Sequence, residues 1–466
     1  MDAGVAEREP QSERATSPPS VAARFADFTA GLSLDQVPPE LVRKAKLHML
    51  DALGTALAAS TFDFAGPTLE GASKLGKGDG ALALGSGTPL PAAGAALVNG
   101  ALIHGLDFDD THIGAIYHAS ALALAAALAA GEASGADGRD LLLAYIAGLE
   151  IGCRLGKAAG GGFHDRGFHP TPLCGAFAAA YAAGRLQGAT PAQMVSASGL
   201  AGSMAAGVLE LQGSWLKRMH PGWAAHSGIA AVALATSGFR GPSSMFEGPH
   251  GFFHTHLQMI PTGDASPAYG LGEDWLIAGI ALKPYPCCHF IHGYVDCALE
   301  LRDKVDLDQI ERIELPLHKR LHHLVSGPAR PSEPYAAMFS VPYTVALALV
   351  TGQVDLAAFH DKGVDDPAVL ALSDRATCID DPVSDFPARF PGEVRLFMKD
   401  GECISHRVPT SYGTPGRPMS EADIEAKFIA NTTRVMPEPQ ARGILEQVLH
   451  IEALGSVAQL TRACTL

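Results

Sequence analysis

Leu282-Lys-Pro-Tyr-Pro-Cys-Cys-His289 divides the chain into two textures. Upstream of it, from about residue 21 to 280, apolar residues recur at helical spacing. Over Pro38–Ala58 the apolar Val42, Ala45, Met49, Leu50, Leu53 and Leu57 return every three or four residues, which predicts a helix with one buried face. Pro38-Pro39-Glu40 opens it, because a proline's missing N–H costs nothing in a first turn. Thr190-Pro-Ala-Gln193 has the form of a capping box before another apolar run. Between residues 119 and 235 Ala and Gly are dense, a composition that lets helices approach closely in a many-helix bundle. Downstream of the divide the period changes to two. Ile313, Leu315 and Leu317 alternate with Glu314 and Pro316, and Val394, Leu396 and Met398 alternate in the same way. Asp400-Gly401 then supplies a hairpin turn before Cys403–Val408. Helical signals lie between the strands, as at Ser340–Leu349, and return after Ser420-Glu-Ala-Asp423. The expected fold is mainly α: a large all-helical domain over 21–280, a smaller α/β domain over 284–408, and C-terminal helices over 409–466. Residues 1–20, with mixed charges and no apolar run, read as a disordered tail.

The 466 residues carry 34 Lys+Arg against 49 Asp+Glu, a net charge of −15. An acidic surface of that size disfavours nucleic acid and anionic membrane as partners, but admits an anionic small molecule wherever a site gathers its own cations. Eight cysteines without a CxxC pair are too sparse for a disulfide framework and fit a reduced, cytoplasmic setting. The apolar run Ala119–Ala130 is too short to cross a bilayer.

Several motif look-alikes fail on chemistry. Gly71-Ala-Ser-Lys-Leu-Gly76-Lys77 approaches a phosphate loop, but Gly78 stands where Ser or Thr must hold Mg²⁺. No dinucleotide fingerprint, zinc-protease motif or nucleophile elbow is present, so the sequence carries no cofactor signature. His250, His254 and His256 sit among Gly, Pro and Phe that read as a loop, without a carboxylate or Cys at ligand spacing, and no metal site is expected there. The neighbouring thiols Cys287 and Cys288 read as packing.

Four polar clusters interrupt the apolar pattern. The densest is His104-Gly-Leu-Asp107-Phe-Asp109-Asp110-Thr111-His112, followed by His118. Polar groups wedged between buried helices cost about 2–7 kcal/mol each unless hydrogen-bonded. They read equally as helix caps or as an acid–base centre in which a carboxylate tunes a histidine. Phe168-His169-Pro170-Thr171 starts a helix. Lys217, Arg218 and His220 place three potential cations in four residues, which in an acidic protein is a candidate carboxylate clamp. Lys283 lies at the textural divide, where it can face an interdomain cleft, and Tyr343 opens a helix of the second domain.

Taken in order, these clusters resemble the MmgE/PrpD family, whose members include 2-methylcitrate dehydratase, cis-aconitate decarboxylase and iminodisuccinate epimerase. The resemblance rests on Asn99–Ser120 (NGALIHGLDFDDTHIGAIYHAS), Gly167–Thr171 (GFHPT), Gly213–Gly228 (GSWLKRMHPGWAAHSG), Phe246–Phe253 (FEGPHGFF), Leu282–His289 and Phe339–Tyr343. It implies a helical domain with an α/β lid, an active site in the cleft between them, and a homodimer. It places catalytic roles on Asp107, Thr111, His118 and Tyr343, and substrate binding on His169, Lys217, His220 and Lys283. The implied activity is a cofactor-independent lyase, a dehydratase or decarboxylase, on a small di- or tricarboxylate, with epimerisation of an amino-dicarboxylate as the alternative and a non-catalytic binding homodimer as a third. In this scheme the two lysines each pair with a substrate carboxylate, while His118, tuned by Asp107, moves the proton.

Overall fold

A computed structural model describes residues 19–211, 214–386 and 389–466. Residues 1–18 of the expected tail lie outside them. The fold is mainly α, with a smaller α/β domain. The first long helix, α1 (Pro39–Ala59), is buried over most of its second half. It packs with α2 (Ala92–His104), α3 (Ser120–Ser134), α4 (Gly138–Ala158), α5 (Pro170–Leu186) and α6 (Leu216–Thr236) around one continuous core. Every residue of α3 from Ser120 to Gly131 is buried, as its nearly unbroken Ala/Leu run requires. Small residues set the helix spacing. A Cβ on Gly222 would lie 2.1 Å from the Leu97 carbonyl oxygen, and one on Gly100 would lie 2.7 Å from the Gly222 Cα. Helices α2 and α6 therefore touch backbone to backbone, and the first turn of α6 is held beside the C-terminal end of α2.

The α/β domain carries a four-stranded sheet of β1 (Ile310–Leu317), β2 (Ala376–Asp380), β3 (Gly392–Met398) and β4 (Cys403–Val408) in the order β2-β1-β3-β4. The β1–β2 pair is parallel and the other two are antiparallel. Ile313, Leu315, Val394 and Leu396 are buried in a second core, with α7 (His292–Arg302) and α8 (Val341–Thr351) packed against the sheet. The chain then returns to the first core. In α9 (Glu421–Thr432), Phe428 is fully buried against α1, and a Cβ on Gly54 would lie 2.9 Å from its ring.

One local expectation is overturned. His254 and His256 lie on a short helix, Phe252–Leu257, rather than in a loop, and the His256 ring is engaged with the Phe252 carbonyl at 2.9 Å. Phe252, Phe253 and Leu257 are buried, and their packing supplies the helical order that the flanking Gly and Pro obscure in the sequence.

Candidate active site

A cleft of about 1120 Å³ lies between the two cores. Asp107, Thr111, His118, His169, Lys217 and Lys283 all line it. Their convergence has a local cause. Thr111–His112 pairs antiparallel with Ile280–Ala281, in the register Thr111↔Ala281 and His112↔Ile280. Two residues past that pair, Lys283 is delivered to the loop that ends α2. A tight turn then closes the strand on itself: the amide of His112 donates to the Tyr117 carbonyl at 2.8 Å. Ile116 in that turn has φ +50°, a left-handed conformation that a β-branched residue adopts only under constraint. The turn sets His118 beside Thr111, and the His118 amide donates to Thr171 Oγ1 at 3.2 Å.

Asp107, only 2 % exposed and itself left-handed at φ +49°, is the electrostatic hub. Its Oδ1 accepts from Lys217 Nζ at 2.8 Å and from Lys283 Nζ at 3.0 Å, and Lys283 also donates to its backbone carbonyl at 2.8 Å. Burial opposes ionisation of Asp107, but the two ammonium groups outweigh it and hold the carboxyl well below its usual range. Burial likewise disfavours the Lys217 ammonium, yet Asp107 carries its net shift upward. The lysines therefore share one carboxylate instead of standing as separate clamps.

His118 is oriented by a different carboxylate from the one expected. Its Nδ1 lies 3.3 Å from Asp109 Oδ1 and 3.4 Å from Thr111 Oγ1, whereas Nε2 is 3.9 Å from Asp107 Oδ1. With Nδ1 held by Asp109, Nε2 is the nitrogen turned toward the lysines. Asp109 also binds His104 Nδ1 at 2.9 Å, and the His104 and His118 ring centroids are 4.4 Å apart. Burial pushes the His104 imidazole down to about 4 and His169 well below its ordinary value, with Lys217 adding to the second shift. Both rings are thus neutral at pH 7.

Two of the expected site residues fall outside the cleft lining. His220 stands behind His169, the two Nδ1 atoms 3.0 Å apart, because its place on α6 turns it inward from Lys217. Tyr343 is fully buried in the lid core, its hydroxyl without a partner among the described residues, and burial raises it to about 12. The tyrosine that does line the cleft is Tyr335. Sequence reasoning also passed over His104 and Asp109 as site members, together with His289, a cleft-lining imidazole with neither ring nitrogen bonded among the described residues. Cys288 lines the cleft as well, while its neighbour Cys287 belongs to the lid core. The spacing of Asp109 and His104, five residues apart across a helix end, was the available signal for that pair.

Ring nitrogens of His104, His118 and His169 lie within 4.8 Å of one another, as do ligand atoms of His104, Asp107, Asp109 and His118. In the second set a cation would compete with the two ammonium groups already on Asp107.

A buried layer supports the loop from behind. Asp110 accepts from the amide of Ser120 at 2.9 Å and is paired with His48 at 2.6 Å. Lys427 of α9 reaches across to donate to the Phe108 carbonyl at 2.9 Å, pairs with Asp51 at 2.6 Å, and sits 3.7 Å from the Phe108 ring centroid.

The neutral histidines make the fold acid-sensitive. Burial lowers His104, His112 and His220 to about 4 each. An unfolded histidine titrates near 6.5, so the unfolded state binds more protons below that pH and stability falls as pH drops from about 6.5 toward 4. Each group is worth on the order of 2 kcal/mol at pH 5. Asp51, raised by burial to about 6, works in the opposite sense and offsets on the order of 1 kcal/mol. Urea titrations at pH 7.5 and 5.0 should show a net loss at the lower pH, and an unchanged midpoint would contradict the neutral assignment.

Comparison with known proteins adds an independent line. A model described as the MmgE/PrpD N-terminal domain matches residues 23–261, and one described as the MmgE/PrpD C-terminal domain matches residues 285–452. Cis-aconitate decarboxylase of Aspergillus terreus is 28% identical, the match covering 97% of each chain. The proteins of that name from Mus musculus and Homo sapiens are 29% and 28% identical, over 95% of this chain and 93% and 94% of theirs.

Proposed function

The chain belongs to the MmgE/PrpD family, and from that membership we propose that it is a lyase that decarboxylates a small unsaturated tricarboxylate of the cis-aconitate kind. The observation that carries this reading is Asp107 bound by Lys217 and Lys283 beside the free edge of His118 in one cleft. The near-full-length relatives named as cis-aconitate decarboxylases supply the substrate class.

In this scheme the ammonium pair anchors substrate carboxylates and fixes the reacting carbon against His118. The bond from the allylic methylene to its carboxylate breaks and CO₂ leaves. Its electron pair forms the new C=C bond between that methylene carbon and the adjacent alkene carbon, and the old π pair takes a proton at the far carbon of the former double bond. One trianion and one proton become one dianion, 2-methylenesuccinate, and CO₂. His118 Nε2 delivers that proton, and Asp109 and Thr111 hold the ring's other edge. Neutral His169 contributes a hydrogen bond without adding charge. The scheme draws on no cofactor.

A cytoplasmic homodimer is part of the reading. Among the described residues no helix is long and apolar enough to cross a membrane. Met219, Trp223 and Leu234, exposed along α6, offer a second copy an apolar face. A ¹H NMR time course with cis-aconitate in D₂O tests the function. New vinylidene signals and a deuterium-labelled methylene are expected. Hydration to citrate, or deuterium exchange without loss of CO₂, would overturn the decarboxylase reading in favour of a hydro-lyase or an epimerase.

A further inference from the structure

Charge balance within the cleft exposes a shortfall. Two ammonium groups against the Asp107 carboxylate leave one positive charge, and Asp109, held ionised behind His118, cancels it. His104 and His169 are neutral. Even counting the proton that His118 delivers, the polar centre carries no more than one net positive charge, so a di- or trianion that enters needs a further cation to offset its desolvation.

Arg218 is the group that fits. It is the residue after Lys217 on the first turn of α6, lines the same cleft, and is 7 % exposed. Its guanidinium carbon lies 4.4 Å from the Tyr335 ring centroid, 4.6 Å from Phe64 and 5.6 Å from Trp215. Three aromatic rings therefore fix the plane of the fork. Its hydrogen-bonding capacity is nonetheless unspent. The only acceptor it meets among the described residues is Asp63 Oδ1, at 3.5 Å, on a side chain 67% exposed, and the buried Nε has no partner among them. Arg185 and Arg302 also leave a buried Nε open, but of the three only Arg218 lines the cleft, where its unspent donor can meet an anion.

We propose that Arg218 is a specificity-determining residue that receives the carboxylate of the substrate lying farthest from the lysine pair, with Tyr335 and Phe64 holding its guanidinium plane. The inference rests on the polycarboxylate reading given above and deepens it. It makes the third carboxylate a requirement: dicarboxylates that satisfy Lys217 and Lys283 alone bind weakly.

Calorimetric titration separates the two claims without turnover. Propane-1,2,3-tricarboxylate and 2-methylbutanedioate differ by one terminal carboxylate. Arg218→Gln should weaken the tricarboxylate by roughly 10- to 100-fold, the range for a lost charge-assisted bond, and the dicarboxylate by less than about 3-fold. Arg218→Lys keeps the charge but not the fork, and should sit between wild type and Gln for the tricarboxylate only. It also serves as the test if the Gln variant fails to fold. Equal weakening of both ligands, or of neither, would overturn the role of Arg218 while leaving the polycarboxylate reading intact. Absence of binding of either ligand to the wild-type protein would overturn both.

Discussion

His118→Ala should lower turnover of the decarboxylated substrate by roughly 10²–10⁴-fold, the usual contribution of a positioned general acid or base. The expectation follows from geometry. Nδ1 is held between Asp109 and Thr111 at 3.3 and 3.4 Å, and the opposite ring edge faces the lysine-bound carboxylate. The imidazole lines the cleft and belongs to neither apolar core, so its removal should move the melting temperature by little. Single-turnover rates and a thermal melt on the same preparation check both halves. A rate within about tenfold of wild type would remove His118 from the chemistry.

Lys427→Met should cost the fold several kcal/mol although the residue lies outside the two apolar cores. Its ammonium is paired with Asp51 at 2.6 Å, in a position where both groups are almost wholly enclosed. Removing one member of a buried pair costs about 3–5 kcal/mol, because the other charge is left without compensation. The pH dependence identifies the cause. Burial already raises Asp51 to about 6 against the pull of Lys427; without the lysine, the carboxyl folds more easily in its protonated form. The loss measured by urea unfolding should therefore grow as pH rises from 5 to 8. Asp51→Leu/Lys427→Met should recover much of it. A loss independent of pH, or a double variant no better than the single, would show that Lys427 acts through packing alone.

Local order was legible wherever the signal was periodic or depended on a turn. The spacing of Met49, Leu53 and Leu57 gave α1 almost to its ends, and the alternation in Ile313–Leu317 and Val394–Met398 gave two sheet strands. Thr190 and Gln193 form the capping box that their spacing implies. The candidate site was legible as residue types, but not as partnerships. Asp107 was the obvious carboxylate to tune His118, yet Asp109 takes that place because Asp107 is consumed by two lysines that arrive from residues 217 and 283. Distances of that kind in sequence carry no local pattern. At a helix start Tyr343 reads either as core or as a hydroxyl donor, and only the family resemblance gives it a catalytic role. The same helix is apolar on every side, which is the mark of a core element, and that feature decides its position. Arg218 and Tyr335 meet only after the lid has packed, so neither betrays the other in the sequence.

Lys427 belongs to the last tenth of the chain, yet it supports a loop at residue 108 and a carboxylate at residue 51, and on the same helix Phe428 fills the notch above Gly54. On the ribosome, the first nine-tenths of the polypeptide emerge before this keystone exists. The nascent protein holds Asp51 without its counter-ion and Gly54 facing an unfilled gap until α9 clears the exit tunnel and docks. A product of premature termination before residue 421 would lack both contacts, leaving quality-control proteases an apolar notch beside an incomplete cleft.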